Sequence, residues 1–284
     1  MTDIGVSLLT HNVLTVDVED WYHVCKPGEA IPVPPRESWR VRHNLERILA
    51  MLDEHCQKAT FFMLGSVAEN DTALAPMICS AGHEIASHGY SHRLVTDLTP
   101  QQFRDELQLT ERTLMEQTGQ RPIGYRAPRW SLSEKTGWAF AILREQGYRY
   151  DSSLTPLPFA GNSRGSRTAY RLAGEGAGLW EIPPMVTRTW LGNLPTGGGW
   201  GFRFFPFRMI CATIEELNRR HNPAVLYLHP RELDPAGPRL DLPSLKRFVS
   251  YGTRTDAAPR LSELLRRYQF TTLKELVDEW QHAS

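Results

Sequence analysis

The chain has 284 residues, 32 basic and 32 acidic side chains, and a hydrophobic share of 41%. That length suits one large α/β domain, or a domain with a modest extension. Zero formal charge removes any bulk pull toward nucleic acid or an anionic membrane, and the apolar share excludes a disordered chain.

The predicted elements alternate. NVLTVDV (12–18) reads as a first strand. In RVRHNLERILAMLDEHC, Val41, Leu45, Ile48, Leu49 and Leu52 fall on one helical face. ATFFM (59–63) and HEIA (83–86) read as strands. The next helix starts with Thr99 as N-cap, Pro100 at the first helical position and Gln102 completing a capping box, and Gly119 stops it. Another runs from Ser133 to Gly147, and LWEIP (179–183) and AVLYLH (224–229) read as strands. The Gly- and Pro-rich region from about Leu154 to Phe207 reads as loops, most irregular in PTGGGWGFRFFP (195–206). Such loops either shape a substrate cleft or simply connect elements at the surface. The chain closes with two helices, RLSELLRRY and LKELVDEW, around a strand-like QFTTL. Thr272 and Glu275 form a capping box there, and Leu261, Leu264, Leu265 and Tyr268 would pack the segment onto the rest. Strands alternating with helices predict a parallel α/β sheet or barrel, with functional residues at the C-terminal strand ends.

The four cysteines, Cys25, Cys56, Cys79 and Cys211, form no C-x-x-C pair and read as free thiols of a reducing compartment. The opening MTDIGVSLLTHNVLTVDVED has neither a basic start nor a long apolar stretch, so it does not read as a signal peptide. No run reaches the length of a membrane span. The expected location is cytoplasmic, with loose contact with a membrane face left open.

Several residues carry chemistry. In EIASHGYSH (84–92), His88 and His92 stand four apart in a stretch with little helix character. Two imidazoles at that spacing can reach one metal ion, or they can be ordinary surface residues. In LTVDVED, strand alternation sends Asp17 and Glu19 to one face, with Asp20 just beyond. Carboxylates so close repel unless a cation or a shared proton relieves them. In GYRAPRWS (124–131), Arg126 can grip a carboxylate with two prongs. GYRYDSSL ends a strand with Asp151, and VLYLHP ends another with His229. His229 is either a satisfied core-edge residue or a general acid, and a carboxylate such as Asp151 beside it would fix its tautomer.

The order of these pieces is more specific than any one of them. The acidic strand end, SHGYSH, RAP, YDSSL and LYLHP follow the order of the five motifs of the polysaccharide deacetylase family, the NodB-like carbohydrate esterases of family 4, which the chain resembles over residues 12 to about 230. TVDVEDWYHV, ATFFMLGSVAE, YRAPRWSL and LHPRELDP are similar to the exosortase- and exopolysaccharide-associated branch, which carries a C-terminal DUF3473-type extension. The resemblance implies a distorted (β/α) barrel over 1–230, with an extension over 231–284 packed on it. It implies an N-deacetylase using one divalent metal, zinc by default, with cobalt, nickel or iron equally suited to the donors. It implies Asp17 as catalytic base, His88 and His92 as metal ligands, Arg126 orienting the base, His229 as acid and Asp151 as its tuning partner.

The chain departs from the commonest pattern, which has adjacent aspartates after the first strand. Here the third ligand is Glu19 or Asp20, and alternation favours Glu19. The tryptophan often found after the fourth motif's aspartate is absent, so Trp130 or Trp200 would wall the acetyl pocket, and His23 would touch substrate or close a turn. The expected substrate is an N-acetylated oligo- or polysaccharide, an exopolysaccharide or a precursor, with peripheral contact with a lipid-linked sugar left open and no nucleic-acid partner. The alternatives are a small cyclic-amide amidohydrolase and a catalytically silent sugar-binding protein. Holding both a base and an acid argues against the silent one.

Overall fold

A computed structural model of the chain describes residues 11–25, 34–157, 160–161, 165–173, 178–252 and 256–282. The opening ten residues, on which the reading of a missing export signal partly rests, lie outside these. Five strands enter one sheet in turn: β1 (Asn12–Val18), β2 (Thr60–Met63), β3 (Glu84–Ser87), β4 (Gly124–Tyr125) and β5 (Tyr150–Asp151). Three antiparallel pairs follow: β6 (Pro156–Leu157) with β7 (Ala160–Gly161), β8 (Tyr170–Leu172) with β9 (Leu179–Glu181), and β10 (Thr187–Thr189) with β11 (Gly192–Leu194). Then come β12 (Val225–Leu228) and β13 (Phe270–Thr271). The large sheet runs β12-β1-β2-β3-β4-β5-β9-β8, with β13 beside the start of β1. All its pairings are parallel except β8 with β9. The sheet is a curled half-barrel that the described pairings leave open between β12 and β8, which is the distortion the family resemblance implied.

Sequence alternation explains its layering. Leu14, Val16 and Val18 of β1 join the main core with Val41, Leu45, Ile48, Leu49 and Leu52 of α1 (Val41–Glu54). Each such fully buried side chain contributes about 1.5–3 kcal/mol. Thr15 and Asp17 take the opposite face, also buried, inside the curl. Helices α2 (Gly65–Asn70) and α3 (Leu74–Ser80) follow β2, and α4 (Pro100–Thr118) follows β3. The predicted capping box of α4 is present: Gln102 N donates to Thr99 Oγ1 at 3.2 Å and Thr99 N donates to Gln102 Oε1 at 2.9 Å. Gly119 ends the helix in the left-handed conformation, φ 69°. The predicted Ser133–Gly147 helix is instead a 3-10 turn, Glu134–Thr136, and then α5 (Trp138–Glu145).

The region read as loops contains helix α6 (Gly199–Phe204) and leads into α7 (Phe207–Arg219), which the reading missed. Ile210, Ile214 and Leu217 of α7 are buried at helical spacing behind the aromatic run. The glycine run of PTGGGWG lies flat against β12: Tyr227 N donates to Gly197 O at 2.9 Å, and a Cβ on Gly198 would stand 2.1 Å from Tyr227 O. Only a residue without a side chain fits there, and this contact sets α6 beside the end of β12.

Helices α8 (Ser244–Tyr251), α9 (Ala258–Arg267) and α10 (Leu273–His282) complete the chain. Leu261, Leu264 and Leu265 of α9 are buried in the main core as predicted, and the strand-like QFTTL supplies β13. Thr272 and Glu275 cap α10 reciprocally. Among the described residues no helix is long and apolar enough to cross a membrane.

Candidate active site

Register brings the chemistry to one end of the sheet. Arg126 N donates to Ser87 O at 3.0 Å, His88 N to Met63 O at 2.9 Å, and Ser152 N to Tyr125 O at 2.9 Å. Glu19, His88, Arg126, Ser152 and His229 therefore each stand one step or so past a strand's C-terminal end, and Asp17 stands within the last turn of β1's pleat. Sequence reasoning had all of these except Ser152; the structure shows that they converge.

Glu19, His88 and His92 form a buried cluster whose three donor atoms lie within 4.8 Å of one another. Glu19 Oε1 lies 3.2 Å from His88 Nε2 and 2.9 Å from His92 Nε2. His88 Nδ1 lies 2.8 Å from the carbonyl of Arg126, which can only accept, so the proton sits on Nδ1 and the other nitrogen faces the cluster. The histidine loop is a turn, not a helix, with Gly89 at φ 76° and His92 itself at φ 61°. Glu106 of α4 clamps it, accepting from Tyr90 N and Ser91 N at 2.8 Å each. A clamp from so far along the chain left no local signal in the sequence.

Burial alone would raise the Glu19 carboxyl, but His92, His229 and the hydrogen bonds with both ligand histidines outweigh it and hold Glu19 well below the usual carboxylate range. His92 is lowered, chiefly by burial. Burial also opposes the charged form of His88, yet its bond with Glu19 wins and its pKa is raised. Two imidazoles and one carboxylate aimed at a common point fit one divalent ion and leave coordination positions open, as a catalytic site does. Arg231 adds a bond that the sequence reading did not foresee, Nη1 to Glu19 Oε2 at 2.9 Å.

Asp20, the other acid read as a ligand, is used elsewhere. Its oxygens accept from Trp21 N at 2.7 Å, Arg40 N at 3.0 Å and Val41 N at 3.3 Å, satisfying free N–H groups at the start of α1. Burial raises its pKa despite these bonds.

Arg126 is fully buried and ties the base to the sheet. Nη1 donates to Asp17 Oδ1 at 2.7 Å and Thr15 Oγ1 at 2.8 Å, Nε to Ser152 O at 3.0 Å, and Nη2 to Ser152 Oγ at 2.8 Å. Its guanidinium lies over the Phe62 ring, 4.1 Å from the centroid. The second oxygen of Asp17 lies 3.8 Å from His229 Nε2. A carboxylate held by arginine and a histidine thus face one another beside the ligand cluster.

The expected Asp151–His229 pair is absent. Asp151 is fully buried, Ser153 Oγ donates to it at 2.7 Å, and it shares a side-chain hydrogen bond with the buried Glu181. Burial pushes both carboxyls up, Glu181 further because the Asp151 charge adds to the effect. His229 Nδ1 instead pairs with Glu232 Oε1 at 2.9 Å. In the sheet order β5, which carries Asp151, stands five strands from β12, while Glu232 stands one 3-10 turn from His229. The HPRE spacing in the sequence carried this signal, since residues three apart meet on one helical turn.

The aromatic candidates divide. Trp130 packs edge-on against Tyr227 at 4.9 Å and lies 5.2 Å from the Arg126 guanidinium, so it borders the site. It and Arg129 both take left-handed backbone, φ 57° and 53°, a strained arrangement of the kind concentrated at functional loops. Trp200 packs with Phe204, Phe205 and Phe248, which joins α6 to α8 and is no site wall in this structure. His23 closes the turn after Asp20, whose N–H donates to its Nδ1 at 3.0 Å, and its ring abuts His92 at 5.3 Å. Burial first, then His92, pushes His23 down to about 3, so it is neutral.

Residues 34–150 match the family model described as polysaccharide deacetylase, and residues 152–278 match one described as a domain of unknown function, DUF3473. His88, His92 and Arg126 lie in the first match, His229 and Glu232 in the second, and Asp17 and Glu19 precede both. The chain is 34% identical over 111 residues to a peptidoglycan deacetylase of Helicobacter pylori, a stretch of 39% of this chain and 37% of that protein. It spans only about a third of the length of the curated relatives it matches. Among solved structures, one described as a polysaccharide deacetylase from Mycobacterium smegmatis superposes with a TM-score of 0.62 at 22% identity, over 84% of this chain and 77% of that one. An allantoinase superposes with a TM-score of 0.65 at 17% identity, over 96% and 90%. Likenesses at these identities establish the fold.

Proposed function

Residues 34–150 carry a polysaccharide deacetylase domain, and from that match we propose that the chain hydrolyses N-acetyl groups of amino sugars to acetate and the free amine. The observation that carries this reading is the opposition of Asp17, gripped by Arg126, and His229 across 3.8 Å beside three converging ligand atoms. Amide hydrolysis needs both a base and an acid, because an unprotonated amine is a poor leaving group.

In this reading Asp17 takes a proton from the attacking water. Arg126 keeps Asp17 aimed through the bond from Nη1 to Oδ1. His229 gives a proton to the departing nitrogen from Nε2, and Trp130 borders the acetyl group. Glu19, His88 and His92 would hold one divalent ion, which supplies a Lewis acid for the acetyl carbonyl and acidifies water. Zinc is our default, and the donor set suits cobalt, nickel or iron as well. We assign the substrate to an exopolysaccharide or its precursor; the DUF3473 match, an extension seen with such systems in the family branch the sequence resembles, supports this.

The test is metal analysis of protein purified without a histidine tag, followed by acetate release from N-acetylated oligosaccharides with that metal restored. We expect about one ion per chain, and loss of both metal and acetate release in His88→Ala and His92→Ala. Metal without acetate release from any such sugar would move the reaction to another amide, a small cyclic one first. Neither metal nor turnover would favour a silent sugar-binding role.

A further inference from the structure

We propose that Glu232 is the positioning residue of the acid His229, and that the 152–278 segment thereby supplies the acid half of the active site. This rests on the deacetylase reading for its consequence in catalysis, while the pairing itself can be tested without turnover.

The geometry begins with the turn Pro230–Leu233, for which His229 is the N-cap. Pro230, with its fixed φ, starts the turn and brings Glu232 back onto the imidazole, 2.9 Å from Nδ1. A carboxylate there can only accept, so it holds the proton on Nδ1 and leaves Nε2 for proton transfer. Nε2 is the nitrogen that faces Asp17. The same logic orients metal-bound histidines through their outer partners.

Glu232 is 1% exposed, and a carboxylate so buried needs a counter-charge. Arg203 of α6 stands 4.0 Å from it, itself buried. Arg203 is held by the carbonyls of Gly199 at 3.3 Å, Ser250 at 3.2 Å and Tyr251 at 2.6 Å, the last two at the end of α8. Burial opposes ionisation of Glu232, but Arg203 and His229 outweigh it and lower its pKa, so it stays an anion. The glycine run that seats α6 on β12 thus places Arg203, Arg203 stabilises the Glu232 charge, and Glu232 orients His229. Every member of that chain lies within residues 152–278. The other oxygen of Glu232 is buried with no hydrogen-bond partner among the described residues. The charged and titratable groups facing this dyad are Asp17 from β1 and Glu19 just past it, Tyr227 from β12, Arg203 from α6, and Arg231 on the same turn.

The experiment uses the full chain, metal-loaded, and compares wild type with Glu232→Gln and Asp151→Asn. Acetate release is followed across pH, and the His229 ring nitrogens are followed by NMR. Glu232→Gln should keep the metal and KM, lower kcat by about tenfold to a hundredfold, a part of what a general acid contributes, and move the basic limb of the kcat profile to lower pH. That limb moves because the anion favouring the imidazolium is gone. Asp151→Asn should leave the limb in place. The His229 Nδ1 signal should change in Glu232→Gln and not in Asp151→Asn. An unmoved limb and unchanged nitrogen signals in Glu232→Gln would overturn the proposal, as would a limb that moves with Asp151→Asn instead. If wild type releases no acetate, the deacetylase reading fails, and the nitrogen signals alone still decide whether Glu232 governs His229.

Discussion

Two buried glutamates stand near opposite ends of the sheet, and their partners separate a structural carboxylate from a functional one. Glu84 opens β3, while His88, about 13 Å along the same strand direction, meets Glu19 at the other end. Glu84 accepts from three neutral donors: Thr60 Oγ1 at 2.7 Å, Tyr150 Oη at 2.8 Å and Lys274 N at 2.8 Å. Thr60 Oγ1 in turn accepts from Leu273 N at 2.8 Å, so the cluster bolts α10 to the sheet. Burial raises the Glu84 pKa in spite of these bonds. Glu19 instead meets two imidazoles and a guanidinium and is held low. Burial is equal in kind at the two ends. Whether the partners bring charge and spare lone pairs decides which end can bind a cation.

The comparison can be broken in three ways. The largest effect is expected next to the charged end: Asp17→Asn should cut turnover by about 10³ while leaving one metal per chain, and should lower the melting temperature because it leaves the buried Arg126 charge uncompensated. Equal turnover would remove Asp17 as base. The second contrast sets Glu19→Ala against Glu84→Ala. Glu19→Ala should lose the metal and keep the metal-free protein folded. Glu84→Ala should keep the metal and lose about 3 kcal/mol of stability, because it strands buried hydroxyl and amide donors. Metal analysis and urea unfolding read both, and metal loss in Glu84→Ala alone would invert the assignment. Asp20→Ala belongs with Glu84 here: it should keep the metal, since its oxygens cap α1.

The smallest effect concerns His83, just before Glu84. Burial first, then Lys58, pushes its pKa down to about 4. A lowered histidine resists protonation in the folded state while the unfolded chain takes the proton at its ordinary value near 6.5. Stability should therefore fall as pH drops from about 6.5 toward about 4, and His83→Gln should flatten that part of the curve. An unchanged slope in the variant would assign the acid sensitivity to other groups.

How much of this was legible follows from the range of each interaction. Local patterns were readable: the α1 face, the Thr99–Gln102 box, the Gly119 stop and the two-residue alternation that puts Glu19 with Asp17. Alternation favoured Glu19 over Asp20 as a ligand, and only the arrival of the α1 N-terminus above Asp20 shows where its oxygens go. Trp200 was a candidate wall of the acetyl pocket, and Phe248 from α8 claims it for packing instead. Helix α7 was missed although its spacing was present, because the aromatic and proline residues before it masked the start.

By itself the sequence determined the residue types, the order of the strand ends that carry them, and the face on which each local pattern exposes them. These depend on backbone periods of two and 3.6 residues and need no tertiary contact. The tertiary structure alone decided which distant groups share a hydrogen bond: Glu106 on the histidine loop, Arg231 on Glu19, and Arg203 behind Glu232. Asp151 and Glu232 are both acids near the end of a strand, and either could have served His229. The strand order sets Asp151 on β5, five strands from β12, and leaves Glu232 within 2.9 Å of the imidazole, and a hydrogen bond exists only where the path through space is that short.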